Sequence, residues 1–196
     1  MIGEHEWMIE NLRVTHYNNG DPIPHVTGNA DWAGLTTGAY CVYNNEESLA
    51  NTYGKLYNWY AVDDARGLCP EGWRVPSDDE YMGLMLYLDP SAVINDNIVG
   101  GMMKATGTTG DGGLWSPPNT GATNSSGFTA LPGGARYTTG LFGGLTILAF
   151  FWTADATPSE VLQRAWNWYM DTSTANLYRN NYSRVVGHSV RCIKER

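Results

Sequence analysis

The chain has 196 residues, of which 16% are charged, and its formal net charge at pH 7 is −8. This acidic balance argues against a general nucleic-acid binder, and the sequence has no run of 18 or more apolar residues that would predict a membrane span. No stretch rich in Pro, Ser or charge divides the sequence, so we expect a single domain over residues 1–196.

The first third of the chain predicts two strands and a short helix. Residues 6–14 alternate apolar and polar side chains and indicate an early strand. Residues 39–43 are apolar and aromatic and predict a second strand. Residues 56–62 place large apolar side chains at the i, i+3, i+4 spacing of a helix.

A second helix has the clearest local signal in the chain. Ser77 and Glu80 have the spacing of a capping box, and the acidic residues between them complement the helix dipole. Apolar residues follow at helical spacing, and we expect them in the core: Tyr81, Leu84, Met85 and Leu88. This helix should end near Asp89, which precedes a proline.

The middle of the chain, residues 95–136, is rich in Gly, Thr and Asn and is predicted to be mostly loop. Within it, residues 126–134 predict a buried strand that ends in a turn. Residues 142–152 lead into the terminal unit, and a last strand is expected to return to the start of the chain. These elements together predict an α+β fold with two helices, short strands and long loops.

The composition of residues 150–192 points to function. The two ends of this segment, residues 149–154 and 187–193, are apolar and predict strands anchored in a core. The stretch between them has neither a helical nor a strict two-residue period, and it is rich in Tyr, Trp, Asn and Ser. Such a composition on a rigid frame is typical of a paratope, and an ordinary pair of polar loops is the alternative.

Three cysteines, Cys41, Cys69 and Cys192, allow at most one disulfide. Cys69 with Cys192 is the pairing to test, because both lie in apolar segments at the two ends of the predicted fold. Three cysteines do not establish an oxidising compartment.

The sequence offers no catalytic or metal-binding constellation. The histidines are scattered, without an H-x-x-x-H or C-x-x-C pair, so a zinc site is not expected. Helix capping explains the acidic residues 78–80 without calcium. A G-x-S-x-G nucleophile elbow is missing. We therefore expect no enzyme activity, no cofactor and no metal.

Five blocks of the sequence resemble the signature of a known family, the Fibrobacter succinogenes major paralogous domain. They are WMIENL (7–12), YGKLYNW (53–59), CPEGWRVPS (69–77), SGFTALPGG (126–134) and SVRC (189–192). The resemblance implies a C-type lectin-like α+β fold, in which two helices pack on short, mostly antiparallel strands with long loops. Members include variable proteins of diversity-generating retroelements, whose C-terminal segment is rewritten by adenine-directed mutagenesis up to the Ser-Val-Arg-Cys block.

The resemblance also implies a set of ligand-binding residues. In such variable proteins the diversified positions tend to derive from Asn codons, which can become Tyr, Ser, Asp, His, Thr or Val. The implied set is Asn167, Trp168, Tyr169, Asp171, Thr172, Ser173, Thr174, Asn176, Tyr178, Asn180, Asn181, Tyr182, Ser183, Val185, Val186 and His188. Trp168 is outside the codon set, so it has another template codon or belongs to the scaffold. The implied fixed frame is Ala165, Trp166, Leu177, Gly187, Ser189, Val190, Arg191 and Cys192.

Composition and resemblance together predict a ligand-binding module for adhesion or receptor recognition, belonging to a bacterium or a phage. Its partner would be a protein or glycan receptor on another cell or surface. No signal peptide is visible at the start of the chain, and the expected location is the cell surface, the exterior or a virion such as a phage tail. The alternative is a structural cell-surface lipoprotein or pilus-associated domain without a diversified site. The oligomeric state stays open.

Overall fold

A computed structural model describes residues 1–195; Arg196, the last residue of the predicted domain, lies outside the described residues. The helices are Asn29–Ala33 (α1), Glu47–Tyr53 (α2), Trp59–Val62 (α3), Asp78–Leu88 (α4) and Val99–Met103 (α5). The strands are Tyr40–Cys41 (β1), Leu56–Tyr57 (β2), Trp73–Arg74 (β3), Gly133–Arg136 (β4), Phe142–Leu145 (β5), Leu148–Ala156 (β6), Arg164–Asp171 (β7), Tyr178–Ser183 (β8) and Ile193–Lys194 (β9). The fold is therefore mixed α/β, with few helices and curled antiparallel and mixed sheets.

The largest sheet has five strands in the order β5-β4-β6-β7-β8. Strands β4 and β6 run parallel, whereas the other neighbours are antiparallel. Alternate side chains of a strand point to opposite faces of the sheet. On one face, Phe151 and Trp168 belong to the same buried cluster as Tyr81 of α4. On the other face, Trp152 and Ala165 belong to a second cluster. The sheet thus lies between two apolar layers.

Helix α4 forms as the sequence predicts. The Ser77 hydroxyl accepts a hydrogen bond from the Glu80 amide at 3.2 Å, and the Glu80 carboxylate accepts one from the Ser77 amide at 2.8 Å. This reciprocal capping satisfies two amides that the helix itself leaves unpaired. Behind the cap, Tyr81, Leu84 and Met85 are buried, and the helix ends at Leu88. The predicted capping box and helix end are confirmed, and so is the core stripe except that Leu88 is only partly buried.

The C-terminal segment returns to the start of the chain, as predicted. Strand β9 pairs with β3, and Ile193 forms a bridge with Trp7. Cys69 and Cys192 form a disulfide across a sequence separation of 123 residues. Closing a loop of this length removes entropy from the unfolded chain. Cys41 is buried as a free thiol.

Of the three predictions for the first third of the chain, the strand at 6–14 was wrong and the other two were confirmed only in part. Residues 6–14 form no strand of a sheet and make isolated backbone hydrogen bonds, such as those from the Leu12 amide to the Val190 carbonyl and from the Lys55 amide to the Leu12 carbonyl. The predicted helix at 56–62 is a strand for its first two residues, because β2 pairs with β1. The Asn58 side chain then accepts a hydrogen bond from the Ala61 amide and caps α3. The predicted strand at 39–43 shortens to β1.

Predictions for the loop-rich segments also needed correction. Residues 126–134 are irregular up to Gly133, where β4 begins, although Phe128 within them is buried. Strand β8 lies in a stretch that we expected to lack a regular pattern. Helix α5 was missed because two of its five residues are glycine, which disfavours a helix. A Cβ added at Gly100 would lie 2.1 Å from the Asn176 carbonyl oxygen, so glycine permits the close approach of α5 to that loop.

None of the helices within residues 1–195 is both long enough and apolar enough to cross a membrane.

We expect Gly100→Ala to destabilise the protein by about 1–3 kcal/mol, because the new methyl group collides with the backbone at Asn176. Gly83→Ala is the matched control, since Gly83 lies on the exposed side of helix α4 with no atom near its Cβ position. That substitution should stabilise the protein by about 1 kcal/mol through helix propensity. Urea unfolding of both variants measures the difference, and equal stability of the two would contradict the close packing.

Candidate functional site

Strands β7 and β8 carry a surface rich in tyrosine. Directly paired residues of antiparallel strands share a face, and Tyr169 pairs with Tyr178 while Asn167 pairs with Asn180 and Ala165 with Tyr182. The tyrosines are half-buried, and Asn180 is exposed. We call Tyr169, Tyr178, Asn180 and Tyr182 the tyrosine face.

The rings of the tyrosine face are held by contacts with one another and with Phe150. Tyr169 stacks on Tyr178 with their ring centres 4.8 Å apart. Phe150 lies 5.4 Å from Tyr169 and 5.8 Å from Tyr182. The Tyr178 hydroxyl donates to the Thr174 hydroxyl at 3.1 Å. These contacts limit the rotamers of the rings before any ligand binds, which reduces the ordering cost of binding.

The hydroxyls of Tyr169 and Tyr182 are protonated at neutral pH. Burial is the main cause that raises the pKa of Tyr169, and the neighbouring Tyr182, Tyr178 and Asp171 raise it further. Burial also raises the pKa of Tyr182. Each hydroxyl can therefore both donate and accept a hydrogen bond.

Two buried polar side chains lie on the same side of the sheet, beneath the tyrosine face. Asn167 is 0% exposed, and neither its amide nitrogen nor its amide oxygen has a hydrogen-bond partner. The ring of His188 lies 4.5 Å from Phe150 and 4.3 Å from Trp152, and both of its nitrogens lack a partner. Burial lowers the pKa of His188 to about 3, so the imidazole is neutral at physiological pH.

The turn between β7 and β8 is held mainly by its own polar side chains. One carboxylate oxygen of Asp171 accepts hydrogen bonds from the Ser173 amide at 2.6 Å and the Thr174 amide at 2.9 Å. The Thr172 hydroxyl accepts from the Asn119 amide at 3.1 Å. The Asn176 side chain accepts from the Asn97 amide at 3.2 Å. Five residues predicted to bind ligand therefore support the turn: Asp171, Thr172, Ser173, Thr174 and Asn176.

Lys104 fixes this turn from below. Its buried ammonium donates to the backbone carbonyls of Thr120 at 2.9 Å, Asp171 at 2.9 Å and Thr174 at 2.7 Å. Burial lowers the pKa of Lys104 to about 8, against an opposing effect of Asp171, so the amine is still mostly protonated at pH 7. The sequence analysis missed this residue, and its one signal is an isolated lysine in a neutral, glycine-rich stretch.

The outer edge of β8 is covered by side chains. The Arg179 amide donates to the Asn95 side chain at 2.8 Å, and the Asn181 amide donates to the Asn180 side chain at 2.8 Å. Arg164 donates to the Asn181 carbonyl at 3.1 Å. Protected edges of this kind resist pairing with a further strand. The edge of β8 is therefore closed to a further strand, and a partner would meet the half-buried side chains of the tyrosine face instead.

The structure divides the sixteen predicted ligand residues into four groups. The tyrosine face holds four of them, and the turn holds the five named above. Three lie on the opposite face of β8 or just after it, half-buried: Asn181, Ser183 and Val185. Four are buried and offer no surface to a partner as they stand: Asn167, Trp168, Val186 and His188.

The structure reverses the roles predicted for Trp166 and Trp168. Trp168, predicted to bind ligand, is 0% exposed, and its indole nitrogen donates to Asp78 at 2.9 Å. Trp166, predicted to belong to the frame, is half-buried, with the Arg179 guanidinium 3.6 Å from its ring centre. Both side chains point to the α4 face of the sheet, but the buried cluster beneath α4 includes Trp168 and not Trp166. Trp166 lies nearer the end of the strand.

Three surface grooves lie elsewhere on the molecule. One runs along residues 6–14 with Pro70 and Trp73, another lies between residues 2–7 and α4, and a third lies between residues 9–13 and 51–54. None of them is formed by the tyrosine face. Within residues 1–195, no three His, Cys, Asp or Glu side chains cluster as a metal site requires.

We expect the stability of the protein to fall as the pH decreases from 6.5 towards 3. In that window the unfolded chain binds a proton at His188 and the folded chain does not. The loss is about 1.4 kcal/mol per pH unit, or about 2 kcal/mol between pH 6.5 and pH 5. Urea unfolding at several pH values measures this slope.

His188→Phe should remove this part of the pH dependence, because the apolar ring occupies the same aromatic surroundings without a titrating group. His16→Gln is the control at an exposed histidine and should leave the slope unchanged. A slope in His188→Phe equal to that of the native protein would show that His188 is not the titrating group.

Comparison with known families gives one match. The family model described as the Fibrobacter succinogenes major domain matches residues 1–194 of the chain. No curated protein and no solved structure shows a significant match.

Proposed function

The chain belongs to the Fibrobacter succinogenes major domain family, and on that premise we propose that it is a binding module that recognises a protein partner through the tyrosine face. The observation that carries the proposal is the clustering of Tyr169, Tyr178, Asn180 and Tyr182 on one side of β7 and β8. The partner would be a receptor on another cell or surface, and the role adhesion or recognition.

The chemistry of the tyrosine face suits contact with a protein. Tyrosine combines a large apolar ring with a hydroxyl that both donates and accepts, and it loses little conformational entropy on binding. The rings already pack on Phe150 and on one another. Asn180 is exposed and supplies adaptable hydrogen bonding. Such a surface can bind tightly without a catalytic group or a cofactor.

Two observations favour a protein partner over a small ligand. Small ligands bind mostly in concave sites, and the three grooves described above lie away from the tyrosine face. Exposed apolar side chains also lie in the loop that precedes β7, where Val161 is 92% exposed and Leu162 is 61% exposed. Their loop is tied to the residue that follows β8, because the Arg184 amide donates to the Gln163 carbonyl at 2.9 Å.

We further propose that the fold is C-type lectin-like and that the tyrosine face is diversified by a retroelement. The pairing of the two ends of the chain and the packing of α4 on a curled sheet support the fold assignment. The Tyr and Asn residues of β7 and β8 belong to the codon set expected at diversified positions. Residues 171–176 form hydrogen bonds within the protein, so for this turn we favour the alternative, a structural role without diversification. The proposed diversified surface is therefore limited to β7 and β8.

We expect deep sequencing of this locus across its source population to show substitutions concentrated at Tyr169, Tyr178, Asn180 and Tyr182. Trp168 and Lys104 should be fixed, because the first fills the core and the second holds the turn. A nearby reverse transcriptase and a near-copy of the codons for residues 150–192, differing at adenines, should accompany the gene. Substitutions spread evenly over the surface would instead support the alternative, a structural surface domain without a diversified site.

A partner captured by the immobilised protein should lose affinity when the tyrosine face is altered. Tyr178→Ser and Tyr182→Ser should each weaken binding by about 30-fold or more, as central aromatic residues of an interface do. Tyr87→Ser is the matched control, because Tyr87 is 63% exposed on α4 and far from this face in the fold. Titration calorimetry measures the affinities, and equal effects of all three substitutions would count against the proposal.

A further inference from the structure

We infer that the side chain of Asn167 is the floor of the ligand site and that it pairs with an amide group of the protein partner. The inference rests on the proposed function and adds to it the chemical group that the site reads. That group is a peptide bond, or the side-chain amide of an Asn or Gln in the partner.

The first observation is that Asn167 is buried without hydrogen bonds. It is 0% exposed, and both polar atoms of its side chain lack a partner. Native proteins pair the large majority of their buried polar side-chain atoms, so an unpaired amide in a central strand calls for an explanation. Asn58 shows what a structural amide looks like in this fold: its oxygen accepts from the amides of Ala39 and Ala61, and its nitrogen donates to the Thr37 carbonyl.

The second observation is the place of Asn167 in the sheet. Strand β7, which carries Asn167, lies between β6 and β8. Across these strands, Asn167 pairs with Trp152 of β6 and with Asn180 of β8. Alternation along β7 puts Ala165 and Tyr169 on the same side. Asn167 therefore points to the same side of the sheet as the tyrosine face, with the exposed residue Asn180 beside it on β8. For a partner group to reach this buried amide, the side chains around it must move aside, among them that of Asn180, which accepts a hydrogen bond from the Asn181 amide.

The chemistry of the floor selects a neutral group. The amide of Asn167 presents one acceptor and two donor hydrogens side by side, and another amide matches this arrangement with a donor and an acceptor of its own. Neither cross-strand neighbour of Asn167 is charged, and the nearby imidazole of His188 is neutral. An ionised group would lose its hydration here without gaining a counter-charge. An amide meets no such penalty.

The inference predicts opposite effects on stability for two buried asparagines. Asn167→Leu keeps the approximate size of the side chain and removes the unpaired polar atoms, so the unfolding equilibrium constant should fall roughly tenfold. Asn58→Leu is the matched control: it removes the cap of α3 and leaves backbone groups unpaired, so that constant should rise at least tenfold. Urea unfolding measures both. An Asn167→Leu variant less stable than the native protein would overturn the inference, because the amide would then be paired within the fold.

A small amide tests the selectivity of the floor. N-methylacetamide should shift the side-chain ¹⁵N–¹H signals of Asn167 in a saturable way, and tert-butanol, a probe of similar size without an amide, should not. N-acetylglucosamine distinguishes a sugar amide from a peptide amide. A saturable shift with the sugar and none with N-methylacetamide would overturn the assignment to a peptide, and the absence of any saturable shift would overturn the floor itself.

The affinity of the captured partner for three variants distinguishes this inference from the proposed function. Asn167→Leu should weaken its binding at least tenfold while the protein becomes more stable. Unchanged affinity in Asn167→Leu, with loss in Tyr178→Ser and Tyr182→Ser, would reject the floor and keep the tyrosine face. Unchanged affinity in all three variants would reject the proposed function.

Discussion

The alternation of side chains along β7 is the constraint on which both the core and the proposed site depend. A strand that is covered on both faces must supply residues to each in turn. Trp168 and Met170 enter the cluster beneath α4. Asn167 and Tyr169 point to the other side, towards β8 residues of the tyrosine face. A continuous segment of this chain therefore cannot be wholly a binding surface, and fixed core residues must alternate with displayed ones.

The register of β8 is the second requirement, because a slip of one residue would move every side chain of a strand to the other face. Leu177, the residue before β8, has both of its backbone groups paired with the Asn97 side chain, at 2.9 and 3.0 Å. Lys104 binds the carbonyls at Asp171 and Thr174. Gly100 allows α5 to approach the same turn closely. These contacts fix the path of the turn, so Tyr178 remains stacked on Tyr169 and Tyr182 remains beside Phe150.

The sequence best predicts features that depend on interactions between residues close together in the chain. The capping box at Ser77 and Glu80 and the apolar stripe behind it act within one helix, and α4 formed accordingly. The Cys69–Cys192 bond joined two apolar segments that the pattern already placed in the core.

Strand β8 is polar at nearly every position, so its place depends on pairing with β7 and on Asn97. Lys104 and Gly100 act through contacts with residues about 70 positions away, and no local pattern reveals them. Trp166 and Trp168 could not be told apart by composition, because their difference lies in what covers each.

The distribution of unpaired polar atoms connects stability to the proposed function. Arg136 is also fully buried, yet its guanidinium donates to the carbonyls of Val26, Thr27 and Gly140, among others. Within residues 1–195, Asn167 and His188 are the two residues with two unpaired buried polar atoms each. Leaving such groups unpaired lowers stability, and the aromatic clusters and the disulfide offset that loss. Selection for stability alone would place apolar side chains at both positions, since apolar rings already surround His188. Polar side chains at these two positions, on the side of the sheet that carries the tyrosine face, are what the proposed recognition surface would contain.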